Sequence, residues 1–164
     1  MSTTDLRWWT QRSPFGGITV VVSDTGVRDI SLPDDAGAID DGARRERDDE
    51  VAGQLDEWFG CTRHDFDLPL DLDGVDGFRR EVLDTLRRDV PWGETVSYGE
   101  LAGMAGRPRA ARGVGRVMAS NPLPFVIPCH RVLAAGGRIG GYGSGRNAID
   151  LKRALLAREG VVIP

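Results

Sequence analysis

Residues 97–128 read "SYGELAGMAGRPRAARGVGRVMASNPLPFVIP", and the prolines in that run limit its fold more than anything else in the chain. Pro108, Pro122, Pro124 and Pro128 each remove an amide donor and fix φ, so no single helix or strand can pass through. What remains is room for two short helices. Ser97 and Glu100 stand at capping-box spacing, which predicts a helix starting at Tyr98 with Leu101, Ala102 and Ala105 on its buried side. "GRP" ends that helix, and Pro108 suits the first turn of the next. The second helix then runs through "RAARGVGRVMAS" until Pro122 forbids continuation. Two short helices joined by a tight glycine-containing turn match a helix-turn-helix.

The second helix is unusual for a buried one. It carries Ala110, Ala111, Gly113 and Gly115 among arginines, and each glycine costs about 1 kcal/mol relative to alanine in a helix interior. Close packing against a neighbouring helix would offset that cost. So would a nucleic-acid groove, into which small residues let the backbone sink while arginines meet phosphates. Charge favours the groove. Residues 1–100 hold 23 acids against 11 bases, whereas residues 101–149 hold no acid and seven arginines: Arg107, Arg109, Arg112, Arg116, Arg131, Arg138 and Arg146. The overall net charge of −4 hides this asymmetry, which points to a negative partner such as nucleic acid.

The rest of the chain reads as α/β. "GGITVVVSDTGVRDISL" predicts strands over Ile18–Ser23 and Val27–Leu32 around the turn residues Asp24, Thr25 and Gly26. The charged run "PDDAGAIDDGARRERDDE" leads as a loop into a helix ending near "DEWFG". "HDFDLPLDL" alternates apolar and polar residues as a half-buried strand does, and "DLDGVDG" makes a boundary. Phe78, Val82, Leu83 and Leu86 then share one face of a helix that "VPWGE" terminates. The expected architecture is α/β (α+β): an α/β domain over residues 1–77 with a small sheet, and a mostly helical domain over residues 78–164. No apolar run approaches the roughly 18 residues that span a bilayer, and "MSTTDLRWWTQRS" has no signal-peptide core. These features predict a cytoplasmic protein, where Cys61 and Cys129 stay reduced.

The candidate chemistry lies in "PFVIPCHRV". Ile127 precedes a proline and is biased towards extended geometry, which predicts that Cys129 sits where a short strand turns. The thiolate is the reactive form of cysteine, and a free pKa of about 8.5 leaves little of it at neutral pH. His130 is placed to take the proton, directly or through water, and Arg131 adds positive potential. A lone Cys-His pair is usually structural. At the end of an acid-free, arginine-rich, helix-turn-helix segment, it is far more specific.

"SYGELA", "AARGVG", "NPLPFVIPCHRV", "GGYGSG" and "LKRALLAREG" follow one another as in the O6-alkylguanine-DNA alkyltransferases, also called methylated-DNA–protein-cysteine methyltransferases. The chain resembles that family strongly over residues 78–164 and by strand pattern over residues 1–77. The resemblance implies DNA repair by direct, single-turnover transfer of an alkyl group from guanine O6 to Cys129, without cofactor or metal, by a monomer acting on double-stranded DNA. It also implies roles for particular residues. His130, through a water, would draw the thiol proton; Glu159 would hold His130 in a relay resembling hydrolase triads; and Asn121 would brace the turn carrying Cys129. Tyr98 would rotate the target phosphate and protonate the leaving guanine at N3. Met118 and Val132 would line the guanine pocket, with Pro124, Tyr142, Gly143 and Ser144 around the alkyl group. Ser97, Tyr98, Ala111, Arg112, Gly113, Gly115 and Arg116 would meet DNA, with Arg112 filling the duplex as the base flips out.

The sequence departs from the family in two places. "YGSGRNAIDLK" is longer than the family pattern, and Ser144 stands where glycine is expected beside the alkyl group. "GVDGFRR" lacks an expected Thr and Gln. Cys61 and His64 form a Cys-x-x-His pair, but structural zinc takes four ligands and no further Cys or His remains outside the reactive site. Two other readings compete: a module that binds alkylated bases without reacting, which Cys129 opposes, and a thiol hydrolase, which leaves the arginine-rich helix unexplained.

Overall fold

The computed structural model describes residues 5–32, 39–141 and 148–163. The chain divides into two compact units, Met1–Leu72 and Asp73–Pro164, and the division falls inside the "DLDGVDG" run.

The first unit is a four-stranded sheet with one helix. Strands β1 (Arg7–Ser13), β2 (Gly16–Val22) and β3 (Val27–Ser31) are antiparallel neighbours, and β4 (Arg44–Arg45) adds to β1 in parallel, giving the order β3-β2-β1-β4. Ile18, Val20 and Val22 alternate along β2 towards the core, where α1 (Asp49–Phe59) presents Val51, Ala52, Leu55, Trp58 and Phe59. Asp48 caps α1 by accepting from the Val51 amide.

Strand β1 has no counterpart in the sequence reading. "RWWTQRS" lacks an apolar alternation, because one of its two inward side chains is polar. Trp9 and Gln11 are both buried; Trp9 Nε1 donates to Gln11 Oε1 at 3.0 Å, and Gln11 Nε2 donates to Ala52 O at 2.9 Å and Asp56 Oδ1 at 2.7 Å. The strand expected in "HDFDLPLDL" shrinks to one bridge between Leu70 and Val27. Pro69 has no amide to offer a ladder, though its carbonyl accepts from the Val27 amide. The approach is so close that a Cβ on Gly26 would lie 2.3 Å from Pro69 O, so Gly26 admits no side chain.

The second unit is mostly helical. Helix α2 (Gly77–Asp89) buries Val82, Leu83 and Leu86 as expected, with Thr85 beside them. Strand β5 (Val96–Ser97) leads into α3 (Tyr98–Met104), whose capping box is formed in both directions by Ser97 and Glu100. Leu101 and Ala102 are buried, while Ala105 is half-buried. Helix α4 (Ala111–Ala119) packs on α3, completing the helix-turn-helix.

Pro108 lies outside α4. The Ala110 amide donates to Arg107 O, which places Pro108 second in a β-turn, a position its fixed φ also favours. Strand β6 (Val132–Leu133) then pairs in parallel with β5, Val96 opposite Val132 and Ser97 opposite Leu133, and α5 (Ala148–Arg158) closes the unit. Parallel strands need a long crossover, so this pairing brings the start of α3 beside the segment that follows Cys129. No helix among the described residues is long and apolar enough to cross a membrane.

Candidate active site

Cys129 is held by a tightly folded loop. Asn121 Oδ1 accepts from the Leu123 amide at 3.0 Å, and its Nδ2 donates to Ile127 O at 2.8 Å, so one side chain ties both ends of "NPLPFVI". Phe125, buried inside that loop, has φ of 73°, a conformation a bulky residue adopts only when its surroundings impose it. The Cys129 amide donates back to Ile127 O across Pro128, at φ −80° and ψ 66°, the geometry of an inverse γ-turn. Cys129, His130 and Arg131 then form a single 3-10 turn that runs into β6. The expected order of strand then turn is reversed: the Ile127–Pro128 step is spent on the γ-turn, and the strand begins after Arg131.

All three residues of the turn are buried: Cys129 is 6% exposed, His130 0% and Arg131 5%. Glu159 reaches them from the end of α5. Gly160, at φ +80°, lets the Val161 amide donate to Leu156 O and its own amide donate to Ala157 O, the Schellman pattern that ends a helix. Glu159 is thus the last residue before the chain turns away. A carboxylate there opposes the helix dipole by about 0.3–1 kcal/mol, and its partners offset that cost. His130 Nε2 bonds Glu159 Oε2. Arg131 Nε donates to Glu159 Oε1 at 2.8 Å, and the Gly93 amide donates to the same oxygen at 2.9 Å.

The electrostatics follow from burial. Burial by itself would raise the Glu159 carboxyl, but the bonds from His130, Arg131 and Gly93 outweigh it and hold the group below its ordinary value. Burial lowers His130, and Arg131 and Lys152 push the same way against Glu159, so the imidazole is neutral at rest. With Nε2–H given to an ionised carboxylate, Nδ1 carries the basic lone pair.

Lys152 is the residue sequence reasoning missed. It sits on α5 with no exposed surface, donating to Val132 O at 2.6 Å and Gly141 O at 3.0 Å. Burial lowers it to about 8, while its attraction to Cys129 works in the opposite direction. Its ammonium also lies 5.8 Å from the Tyr98 ring centroid. The only sequence signal was that it is the one lysine in the chain, placed among apolar residues of "LKRALL". Tyr98 itself is half-buried and its hydroxyl donates to Gly141 O at 3.4 Å. Burial, then the charge of Cys129, raises its pKa, so it keeps its proton.

The sequence of the chain from 77 to 161 matches the family of the 6-O-methylguanine DNA methyltransferase, DNA binding domain. A methylated-DNA–protein-cysteine methyltransferase of Mycolicibacterium paratuberculosis is 38% identical over 157 residues, covering 94% of this chain and 92% of that one. This chain is a member of the methylated-DNA–protein-cysteine methyltransferase family. The namesake from Mus musculus is 54% identical over 86 residues, 52% of this chain and 40% of its own length. The crystal structure of Mycobacterium tuberculosis OGT in complex with DNA superposes with a TM-score of 0.82 at 34% identity, covering 94% of this chain and 92% of the other.

In this methyltransferase-family chain, the structure brings Cys129, His130, Glu159, Asn121 and Tyr98 into one unit around the 3-10 turn. Pro124, Met118 and Val132 are buried in the same unit, in the loop, α4 and β6. Tyr142, Gly143 and Ser144 lie outside the described residues. On α4, Arg112 and Arg116 are exposed and one turn apart, and Gly115 shares their face with nothing within 4 Å of a built Cβ. Ala111, beside Arg112, is half-buried, and Ser97 caps the partner helix α3. Gly113 is different. A Cβ there would lie 3.0 Å from the Phe78 ring, so helix packing on α2 explains this glycine, not the groove favoured from sequence. Cys61 is exposed, and among the described residues no three His, Cys, Asp or Glu side chains gather as metal ligands.

Proposed function

We propose that the chain repairs DNA by taking the alkyl group from O6-alkylguanine onto Cys129, once per molecule, acting in the cytoplasm as a monomer without cofactor. The observation that carries the assignment is the buried Cys129–His130–Glu159 array, in the same unit as an arginine-bearing helix-turn-helix. The first unit is the α/β domain of the proposal, and the second is its DNA-binding and alkyl-acceptor domain.

The steps balance as a displacement. His130 Nδ1, through a water, takes the Cys129 proton while Glu159 keeps the ring oriented. The thiolate attacks the alkyl carbon, an S–C bond forms, the C–O6 bond breaks, and the electron pair leaves on guanine. Tyr98, which holds its proton, donates it at N3, so guanine departs neutral. Lys152 supplies a positive charge beside the thiolate. The product is a thioether, which this site has no means to hydrolyse. Arg112 fills the duplex when the base leaves the stack, and Arg116 meets the phosphate backbone.

Incubation with duplex DNA carrying a labelled methyl on guanine O6 tests the reading. Label should reach Cys129 with one-to-one stoichiometry, and Cys129→Ala should bind the duplex but accept nothing. Label staying on DNA with the wild-type protein would favour a non-reacting binder, and turnover of an ester would favour a hydrolase.

A further inference from the structure

The carboxylate of Glu159 is used unequally. Oε2 serves His130, while Oε1 takes two donors, Arg131 Nε and the Gly93 amide. Arg131 is fixed from its other end as well: Nη1 donates at 2.8 Å to the carbonyl of Val90, the residue that ends α2. Its side chain is 6% exposed. The guanidinium thus bridges the end of α2 and the end of α5. It also directly follows the nucleophile and its base in the same 3-10 turn.

We propose that Arg131 is the positioning residue of the relay, fixing the orientation of the Glu159 carboxylate and keeping His130 a neutral base. The inference rests on the alkyl-transfer reading above. A carboxylate bonded to a histidine favours the imidazolium, and an imidazolium has no lone pair for the Cys129 proton. Burial opposes that charge first, and Arg131 opposes it in two further ways. It neutralises the carboxylate through Oε1, which weakens the pull of Oε2 on the imidazole, and its own charge opposes a second cation next to it. Among the described residues, the charged and titratable groups facing His130 are Lys152 of α5 and Glu159 just past its end, Arg131 and Cys129 from its own turn, with Tyr98 of α3 beside Cys129. Among the described residues, only Arg131 both touches Glu159 and repels a proton on His130. Arginine suits the task because its planar fork reaches a carboxylate and a carbonyl together and stays charged when buried.

The test is Arg131→Met and Arg131→Lys in the full chain. Its readouts are the pH–rate profile for transfer from the free alkylated base and the imidazole nitrogen resonances. The chain has two histidines, so His64→Gln assigns the signals. The wild-type protein should show His130 neutral at pH 7 with the proton on Nε2. In Arg131→Met the His130 midpoint should rise by about one pH unit or more, and the acid limb of the rate profile should rise with it. Arg131→Lys keeps the charge and should hold the midpoint near the wild-type value while losing part of the rate. A folded Arg131→Met that is slower at every pH with an unmoved midpoint would reduce Arg131 to packing. Wild-type His130 charged at pH 7, or protonated on Nδ1, would overturn the proposal with no variant needed. If Arg131→Met does not fold, a raised midpoint in Arg131→Lys counts against it. Wild-type protein that never transfers the alkyl group would instead sink the functional reading, and the resonance measurements would still judge Arg131.

Discussion

Replacing Lys152 by methionine sets two buried terms against each other. The ammonium donates to Val132 O and Gly141 O. Hydrogen bonds from a charged group contribute about 1.5–3 kcal/mol each. Against them stands the burial of the charge, which lowers the group to about 8. A displacement of that size from the ordinary value corresponds to about 3 kcal/mol. The second offsets part of the first, so at pH 7 Lys152→Met should cost about 0–3 kcal/mol, less than the lost bonds suggest.

The pH dependence is the sharper measure. Below pH 8 Lys152 is charged in both the folded and the unfolded chain, and the folded protein bears the burial penalty. Between 8 and the ordinary lysine value only the unfolded chain keeps the proton, so wild-type stability rises with pH. From pH 7 to 9.5 the gain is about 2 kcal/mol, or about 1 where solvent screens the group. Urea denaturation of wild type and Lys152→Met at pH 7, 8 and 9.5 isolates it; stopping at 9.5 avoids Tyr98, whose raised pKa destabilises the fold at higher pH. The wild-type curve should rise relative to the variant, and alkyl transfer by the variant should be slower with thiol reactivity moved to higher pH. Parallel stability curves would refute the account of Lys152 as a buried ammonium.

Three further outcomes are expected. Glu159→Gln should slow transfer; because the folded carboxyl is held below its ordinary value, its stabilisation is full above about pH 4.3 and lost as pH falls through the folded value, so acid titration of the variant should lack that loss. Arg112→Ala should impair reaction in duplex DNA more than reaction with the free base, and each phosphate contact removed by Arg116→Ala should flatten the log–log salt dependence of binding by about 0.9. Gly115→Ala should stabilise the fold by up to about 1 kcal/mol while weakening duplex binding, whereas Gly113→Ala, whose Cβ meets Phe78 at 3.0 Å, should destabilise it, overpacking costing about 1–3 kcal/mol; denaturation and binding titrations separate the pair.

The sequence by itself determined the elements whose signals are local. The capping box at Ser97 and Glu100 is a three-residue pattern, and it forms as written. The apolar spacing of α2, the stop at Pro122 and the turn glycine at 160 are equally short-range. The reactive pair was legible because Cys129 and His130 are neighbours in the chain, inside motifs that match a family. Tertiary structure decided the rest, because the deciding partners lie far apart in sequence. Strand β1 pairs along its length with β2, and it tolerates an inward Gln11 because that side chain finds Ala52 and Asp56. Gly113 is small because Phe78 lies against it. The sequence offers Arg131 only as positive potential beside Cys129 and assigns Lys152 no role, yet one is buried against Glu159 and the other against the carbonyls of Val132 and Gly141. A charged side chain carries no local mark of burial; only the assembled neighbours supply the donors and acceptors that let it leave water.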